Sequence, residues 1–363
     1  MKKFRNISLG ITMILAGASL NAQIPTLDFI TGYTNDARLI LGEYMAPFAN
    51  MMGANLNAGW YNTAKPHKLG GFDITTTVSV VFAPITDLEY DLNTLSGLQL
   101  NVEGNSTMAP TIVGDMEALP VLVSTEVITN PLTNVPENVE IARLSHPNGI
   151  GVNFLPLPMA QVSLGLIKGT EISVRYVPNV SIGEYGSIGL FGIGGKHSIS
   201  QWIPVIKKLK FINIAVQGGY TKLSTEAVMN IIPDVDVEIA NPPAWDDQRI
   251  YLNSSAWTLN LIASQSIPII TVYEGIGFSS SKADFAMLGS YPLNTPVMEL
   301  GADFGKKTYT VIKDPIEELL FENNNNLRLN AGVRLKLGFI TLHYDFTRTL
   351  YSTHTAGIGI TFR

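Results

Sequence analysis

The 363-residue chain contains no cysteine. That excludes disulfides, thiolate metal sites, a cysteine nucleophile and a lipidated N-terminal cysteine. Charge is scarce: Asp, Glu, Lys and Arg make up 15%, against roughly 25% in soluble globular domains. Gly, Thr, Ser and Asn fill the deficit, while hydrophobic residues stand at an ordinary 46%. Basic excess is missing too. The net charge is −6, with nothing to neutralise phosphates, so no nucleic-acid partner is expected. Mean hydropathy is only +0.20. After residue 22 there is no apolar run of about 18 residues, so no transmembrane helix is expected. This composition disfavours a charge-coated cytosolic enzyme and a helical membrane protein alike.

What is present begins with an address. Lys2, Lys3 and Arg5 precede an apolar stretch from Ile7 to Leu20, and Leu20-Asn21-Ala22 ends in a small residue. This is the layout of a bacterial secretory signal peptide over residues 1–22, with Gln23 as the expected mature N-terminus. The alternative, an anchor helix, falls short of the ~20 residues needed to span a bilayer. Without that segment 21 bases face 30 acids, a net charge of −9. The mature chain is expected in the periplasm, outside the cell or in the outer membrane.

Side chains alternate across a strand with period two, and the mature chain alternates persistently. Odd positions from Leu327 to Leu337 are apolar, while Arg328, Asn330, Gly332, Arg334 and Lys336 take the even ones. Next, Ile340, Leu342, Tyr344 and Phe346 oppose Thr341, His343, Asp345 and Thr347. Then Ala356, Ile358, Ile360 and Phe362 oppose Thr355, Gly357, Gly359 and Thr361. Earlier, Phe72, Ile74, Val78, Val80 and Phe82 oppose Asp73, Thr75, Thr77 and Ser79. Ile172, Val174 and Tyr176 oppose Glu171, Ser173 and Arg175.

Periodicity alone fits two architectures. A soluble β-sandwich turns its apolar face inward; a transmembrane barrel turns it to lipid and its polar face to a lumen. Four features favour the barrel. Strands of about ten residues match a tilted membrane strand, whereas ordinary strands run to about 5–6. Very short turns (Lys168-Gly169, Gly338) alternate with long connections (103–158, 283–326). Tyr176, Tyr220 and Tyr351 stand at strand ends, as in an interfacial girdle. The chain closes on a strand with Phe362 next to last. Ten segments read as strands: 71–83, 159–167, 170–178, 186–195, 210–222, 251–266, 268–281, 326–337, 339–350 and 355–363. Further strands within 86–102, 117–128 and 296–312 would bring an antiparallel barrel to 12 or 14. Two segments, 186–195 and 268–281, alternate poorly, and Glu274 falls on the lipid face unless a bulge shifts the parity.

Two stretches read as helical. In Asp28 to Met52, Asn35 can cap a helix starting at Asp36, and Pro47 should kink or interrupt it. Leu41, Met45, Phe48 and Met52 recur on one helical face. Residues 23–66 thus read as a hatch or plug ahead of a barrel over 67–363. In Ser198 to Lys210, Ile199, Trp202, Ile203 and Ile206 precede Lys207, Lys208 and Lys210, as in an interfacial helix; the alternative is a loop broken by Pro204.

The stretch Leu56 to Lys68 (LNAGWYNTAKPHK), the following Gly70-Gly71-Phe72-Asp73, and Gly192 to Trp202 (GIGGKHSISQW) resemble an uncharacterised family of Bacteroidota-type outer-membrane barrels, a domain of unknown function. The resemblance covers nearly the whole mature chain, implies a barrel and supplies no activity. More distantly the layout is similar to the long-chain fatty-acid channel (FadL-type) family. That family implies an N-terminal hatch and fourteen strands. Its Asn-Pro-Ala-type motif is not kept: Asn57-Ala58-Gly59 has no proline.

Candidate chemistry is sparse. Glu171, Arg175, Arg328, Arg334, Lys336, His343 and Asp345 fall on polar strand faces, as a lumen charge network would require. His343 with Asp345 would serve catalysis only if a hydroxyl stood within reach of the imidazole. Gly192 to Lys196 lacks the P-loop pattern, since Leu190 and His197 stand at required positions. The five histidines show no metal spacing. Asp234, Asp236 and Glu238 offer hard oxygens to calcium without an EF-type loop. No cofactor, metal or catalytic residue is expected. The expected function is a passive channel, in the outer membrane of a Gram-negative bacterium, for hydrophobic or amphipathic small molecules. Leu41, Met45, Phe48 and Met52 would line its ligand path. The alternative is a structural or surface-interaction barrel. Expected partners are outer-membrane lipid, a hydrophobic small molecule and, through the C-terminal strand, the barrel assembly machinery.

Overall fold

The computed structural model describes residues 34–362, apart from 105, 117, 130–134, 182, 184–185, 210, 234, 238 and 297–306. The expected signal peptide, Lys210, Asp234 and Glu238 lie outside the described residues.

Ten strands form a closed antiparallel barrel. They are β1 (Phe72–Phe82), β2 (Phe154–Gly165), β3 (Thr170–Ser181), β4 (Gly186–Ser198), β5 (Ile212–Val228), β6 (Arg249–Ser266), β7 (Ile270–Leu288), β8 (Ile316–Leu337), β9 (Ile340–Arg348) and β10 (Ser352–Phe362). Each pairs with the next in sequence, and β1 closes the ring against β10, with Phe72 opposite Phe362 and Phe82 opposite Ser352. Closure gives every strand a neighbour on each side, as a sheet in lipid requires; β2 and β3 pair only from Gln161 to Gly165, and β8 meets β9 only from Leu329. All ten correspond to the ten segments legible in the sequence.

The expectation of 12 or 14 strands is corrected to ten. The additional segments fold outside the barrel and pair locally. Glu89–Asp91 pairs with Met108–Pro110, and Val121–Thr129 lies between Asn101–Glu103 and Pro136–Ser145. Ser290–Pro296 pairs with Lys307–Lys313. The three-residue strands reach only about 10 Å, too short for a membrane; Val121–Thr129 and Pro136–Ser145 are long enough but pair with each other inside the connection, which satisfies their backbone without the wall.

The apolar faces point outward. Ile74 (49%), Leu329 (48%) and Ile360 (45%) are exposed, while Ser79, Thr341 and Thr355 on the opposite faces are fully buried. This settles the choice between barrel and sandwich. Short turns at 166–169, 267–269 and 338–339 mark one end, the turn end. Connections 83–153, 229–248 and 289–315 mark the other, the loop end. Strands β5 to β8 run past the apolar belt towards the loop end, where Glu226 pairs with Arg249 and Lys282 with Glu322.

Two poorly alternating segments have different explanations. On β4, Ile188 and Leu190 are buried and face inward, so both faces are apolar and alternation disappears. On β7 the register from Thr271 to Ser279 is unbroken against both neighbours. Glu274 therefore does stand outward, with Val272 and Ile276, beside Ala263 and Ala331.

Helix α1 spans Thr34–Asn57, beginning two residues earlier than expected and continuing through Pro47 without a break. Proline removes the helical donor to Glu43 O, and the neighbouring Tyr44 O accepts the Ile112 N–H of the overlying connection. The second helical stretch is a short turn, Ser200–Trp202, followed by α2 (Pro204–Lys208). Pro204 opens α2 rather than breaking it, since a first-turn proline loses no helical bond.

Candidate functional site

The lumen is where the chemistry-bearing residues converge, and it is occupied by the chain itself. From its N-terminus α1 descends from the loop end into the barrel, and the coil from Ala58 to Lys68 continues to the turn end. The first-turn carboxylate of Asp36 accepts the N–H groups of Gln99 (2.9 Å) and Leu100 (2.8 Å). A negative charge there also complements the positive end of the helix dipole. Ala37 and Ile40 pack with Leu92, Leu100, Phe285, Met287 and Ile316. Lower, Met51, Met52 and Leu56 pack with inward Leu155, Leu157, Met159, Ile188, Leu190 and Leu223. Between the helix and the β7–β8 wall a gap of about 10 Å³ remains, lined by Asn50, Gly53, Ser280 and Asn323. That is room for one water.

Below this apolar level the contacts change character. Asn55 Nδ2 donates to Leu155 O (2.9 Å), and Ser79 Oγ donates to Asn55 Oδ1 (2.8 Å). The last carbonyls of a helix lack intrahelical donors, and α1 has no basic residue in its last turn. Arg175 on β3 supplies one. Its Nη1 donates to Leu56 O (3.1 Å), its Nη2 to Ala58 O (2.7 Å) and its Nε to Gln161 Oε1 (3.0 Å). Thr221 Oγ1 also donates to Leu56 O. The same guanidinium lies 3.7 Å from the centroid of Trp60, a buried cation–π contact. Trp60 fits because paired strands present Gly194 and Gly219 opposite each other. A Cβ there would stand 2.6 and 2.4 Å from the indole. The two segments that carry the family resemblance thus pack on each other.

At the turn end the coil is clamped. Glu171 Oε2 accepts from His67 N (2.9 Å) and lies 2.7 Å from His67 Nδ1; Glu171 Oε1 is 2.8 Å from Lys196 Nζ. His67 Nε2 is 2.9 Å from Thr361 Oγ1, and Lys196 Nζ donates to Thr63 O. Every polar group of the imidazole is engaged. A cavity of about 350 Å³ opens beside this clamp, lined by Lys65, His67, Lys68, Ile167, Lys168 and Gln201 among others.

The seven residues expected in a lumen network all sit on the inner wall, with Lys336 half-buried and the other six buried. Their hydrogen bonds go to different partners, while Arg328 lies within electrostatic reach of Arg175 and Asp345. Glu171 joins Lys196 and His67, which the sequence reading missed. Arg175 serves the plug backbone. Asp345 accepts from Tyr273 OH (3.1 Å) and Asn330 Nδ2 (2.8 Å), and Arg328 donates to Thr347 Oγ1. Arg334 stands opposite His343 across the β8–β9 pair. His343 Nδ1 has no partner, so the hydroxyl contact a nucleophile–base pair requires is not made. Trp60 Nε1, Gln217 Nε2, Asn260 Oδ1 and Asn330 Oδ1 likewise find no protein partner. Buried groups of this kind are satisfied by ordered water. Of the expected hatch residues, Met52 is buried, and Leu41, Met45 and Phe48 are half-buried against the loop-end cluster; Phe48 also touches the cluster below.

Above the helix the connection 83–153 forms a cap. His146 Nδ1 donates to Pro147 O (2.7 Å), and Tyr90 OH donates to His146 Nε2 (2.8 Å). Burial lowers the His146 pKa to about 4. Tyr44 OH donates to Asn148 O, joining helix to cap.

A family model described as a family of unknown function (DUF6588) matches residues 1–362. No curated protein matches. Among solved structures the chain is similar to the translocator domain of the autotransporter NalP from Neisseria meningitidis (10% identity, TM-score 0.29, 89% of this chain and 99% of that one). It is similar to the transport unit of the autotransporter AIDA-I from Escherichia coli (7%, 0.25, 89% and 99%). The toluene transporter TbuX of Ralstonia pickettii gives 9%, 0.17, 82% and 90%.

Proposed function

We propose, for a chain that belongs to the DUF6588 family of unknown function, a barrel of the Gram-negative outer membrane held shut by its own N-terminal segment, with the loop end as its working surface. Long connections face outward in such barrels and short turns face the periplasm. One observation carries this reading: the plug is bonded along its length, from Asp36 on the cap and Arg38 on β8 at the loop end to His67 on β3 at the turn end. The partners of this barrel are membrane lipid around the belt and whatever binds the cap and loops; the assembly machinery engages its last strand before closure. The reading assigns no catalysis and no cofactor. The test is conductance and liposome swelling with the full refolded chain. No steady conductance is expected, and deletion of residues 34–66 should open the lumen. Steady solute passage through the full chain would sink the reading.

A passive channel for hydrophobic or amphipathic small molecules is the second reading. It draws support from Phe48, which joins the two apolar clusters into one seam along Leu41, Met45 and Met52. Uptake of an apolar ligand that vanishes in a chain lacking residues 28–55 would favour it over the sealed barrel. Uptake unchanged by that deletion would count against a gating role.

A further inference from the structure

The direction of α1 decides which side of the membrane its N-terminus occupies. Asp36 is bonded to Gln99 and Leu100 of the 83–153 connection, and Arg38 Nη2 donates to Glu318 O near the loop end of β8. The opposite end of the plug is bonded to Glu171, at the turn end of β3. The backbone then enters β1 at Phe72 from the turn end. A 24-residue helix is about 36 Å long, more than the apolar belt of about 25 Å. The described chain therefore makes one pass through the lumen, from loop end to turn end.

The lumen has no room for a second pass. Ten strands about 4.8 Å apart and tilted about 40° place opposite backbones about 20 Å apart. Inward side chains from both walls leave about 10–12 Å, the diameter of a single helix with its side chains. The plug fills that width: Ala37, Ile40 and Leu56 have no exposure at all. A returning strand of backbone would also bury peptide groups with no partner.

We infer that α1 begins at the outer cell surface, so that this barrel presents the N-terminal end of its own plug outside the membrane. The inference rests on the reading above that the loop end faces outward. It adds a display function to a sealed barrel: the plug holds the first turn of its own helix outside.

The absence of native cysteine makes the test clean. Single Asn35→Cys, Ala240→Cys and Lys68→Cys variants of the full chain each carry one thiol at an exposed position. They sit at the start of α1, in the 229–248 connection and at the turn end. Intact cells are treated with a polyethylene-glycol maleimide too large for general porins. The expected result is that Asn35→Cys labels to the level of Ala240→Cys, while Lys68→Cys labels only after the outer membrane is permeabilised. A second arm places an epitope tag between Gln23 and Ile24 and reads antibody binding on intact cells. If Ala240→Cys labels on intact cells but Asn35→Cys and the tag do not, the inference is overturned and the outward loop end stands. If Ala240→Cys is protected and Lys68→Cys is accessible, the orientation itself is wrong and the inference falls with it.

Discussion

The upper and lower halves of the lumen hold the same plug by different physics. Towards the loop end, Met51, Met52 and Leu56 meet inward Leu157, Ile188 and Leu223, and the contact is a hydrophobic core like that of a soluble protein. Towards the turn end, Arg175, Glu171, Lys196 and His67 hold the coil by charge and hydrogen bonds. An apolar contact is non-directional and tolerates small shifts. A buried charge demands its partners in place, because leaving one alone is costly. The upper half therefore anchors and the lower half fixes register and seals.

The largest effect should come from breaking the lower half. Arg175→Ala removes two bonds to plug carbonyls and the Trp60 contact, and should cost about 4 kcal/mol. The expected result is a lower unfolding midpoint, read by heat-modifiable gel migration, together with a new leak conductance. Met52→Ala probes the upper half and should cost about 3 kcal/mol by leaving a cavity, with no added leak. If both variants leak equally, the two halves do not differ in the way argued.

Titration brings a third contrast, in the cap. Burial holds the folded-state pKa of His146 at about 4, below the ordinary value near 6.5. Above about pH 6.5 the neutral ring contributes its full stability. Between about 6.5 and 4 the unfolded chain takes up a proton that the folded cap refuses, so stability falls as pH falls, by about 3 kcal/mol in all. Protease cleavage within 83–153 should rise over that window, and His146→Gln should flatten the dependence. The smallest effect belongs to the outer face. Glu274→Leu replaces a carboxylate in the apolar belt and should stabilise the barrel by about 1 kcal/mol, read as a higher urea midpoint. A loss of stability would mean that Glu274 makes a contact the register does not explain.

The limits of sequence reading follow from this comparison. Alternation exposed a wall strand wherever one face meets lipid and the other a polar lumen, as on β8, β9 and β10. It failed where the plug covers the inner face: Phe154 to Pro158 at the start of β2 was missed and β4 looked irregular, because both faces are apolar there. The strands of 83–153 and 289–315 are rich in the same β-prone residues as the wall strands, so counting them inflated the barrel. Glu171 and Arg175 were visible as inward charges. Their partners were not, because Lys196 reaches Glu171 only through the β3–β4 register, and His67 and Leu56 reach the wall only once the plug is inside it.

Sequence alone determined the period of the strands, the sidedness of those that alternate and the presence of a helical segment before the first. These are local properties, set by side-chain alternation and helical spacing along neighbouring residues. The tertiary structure decided that the apolar faces look outward, that ten strands close the ring, and that the helix threads it from loop end to turn end. Those are properties of closure, and closure is a relation between residues hundreds of positions apart, such as Phe72 with Phe362.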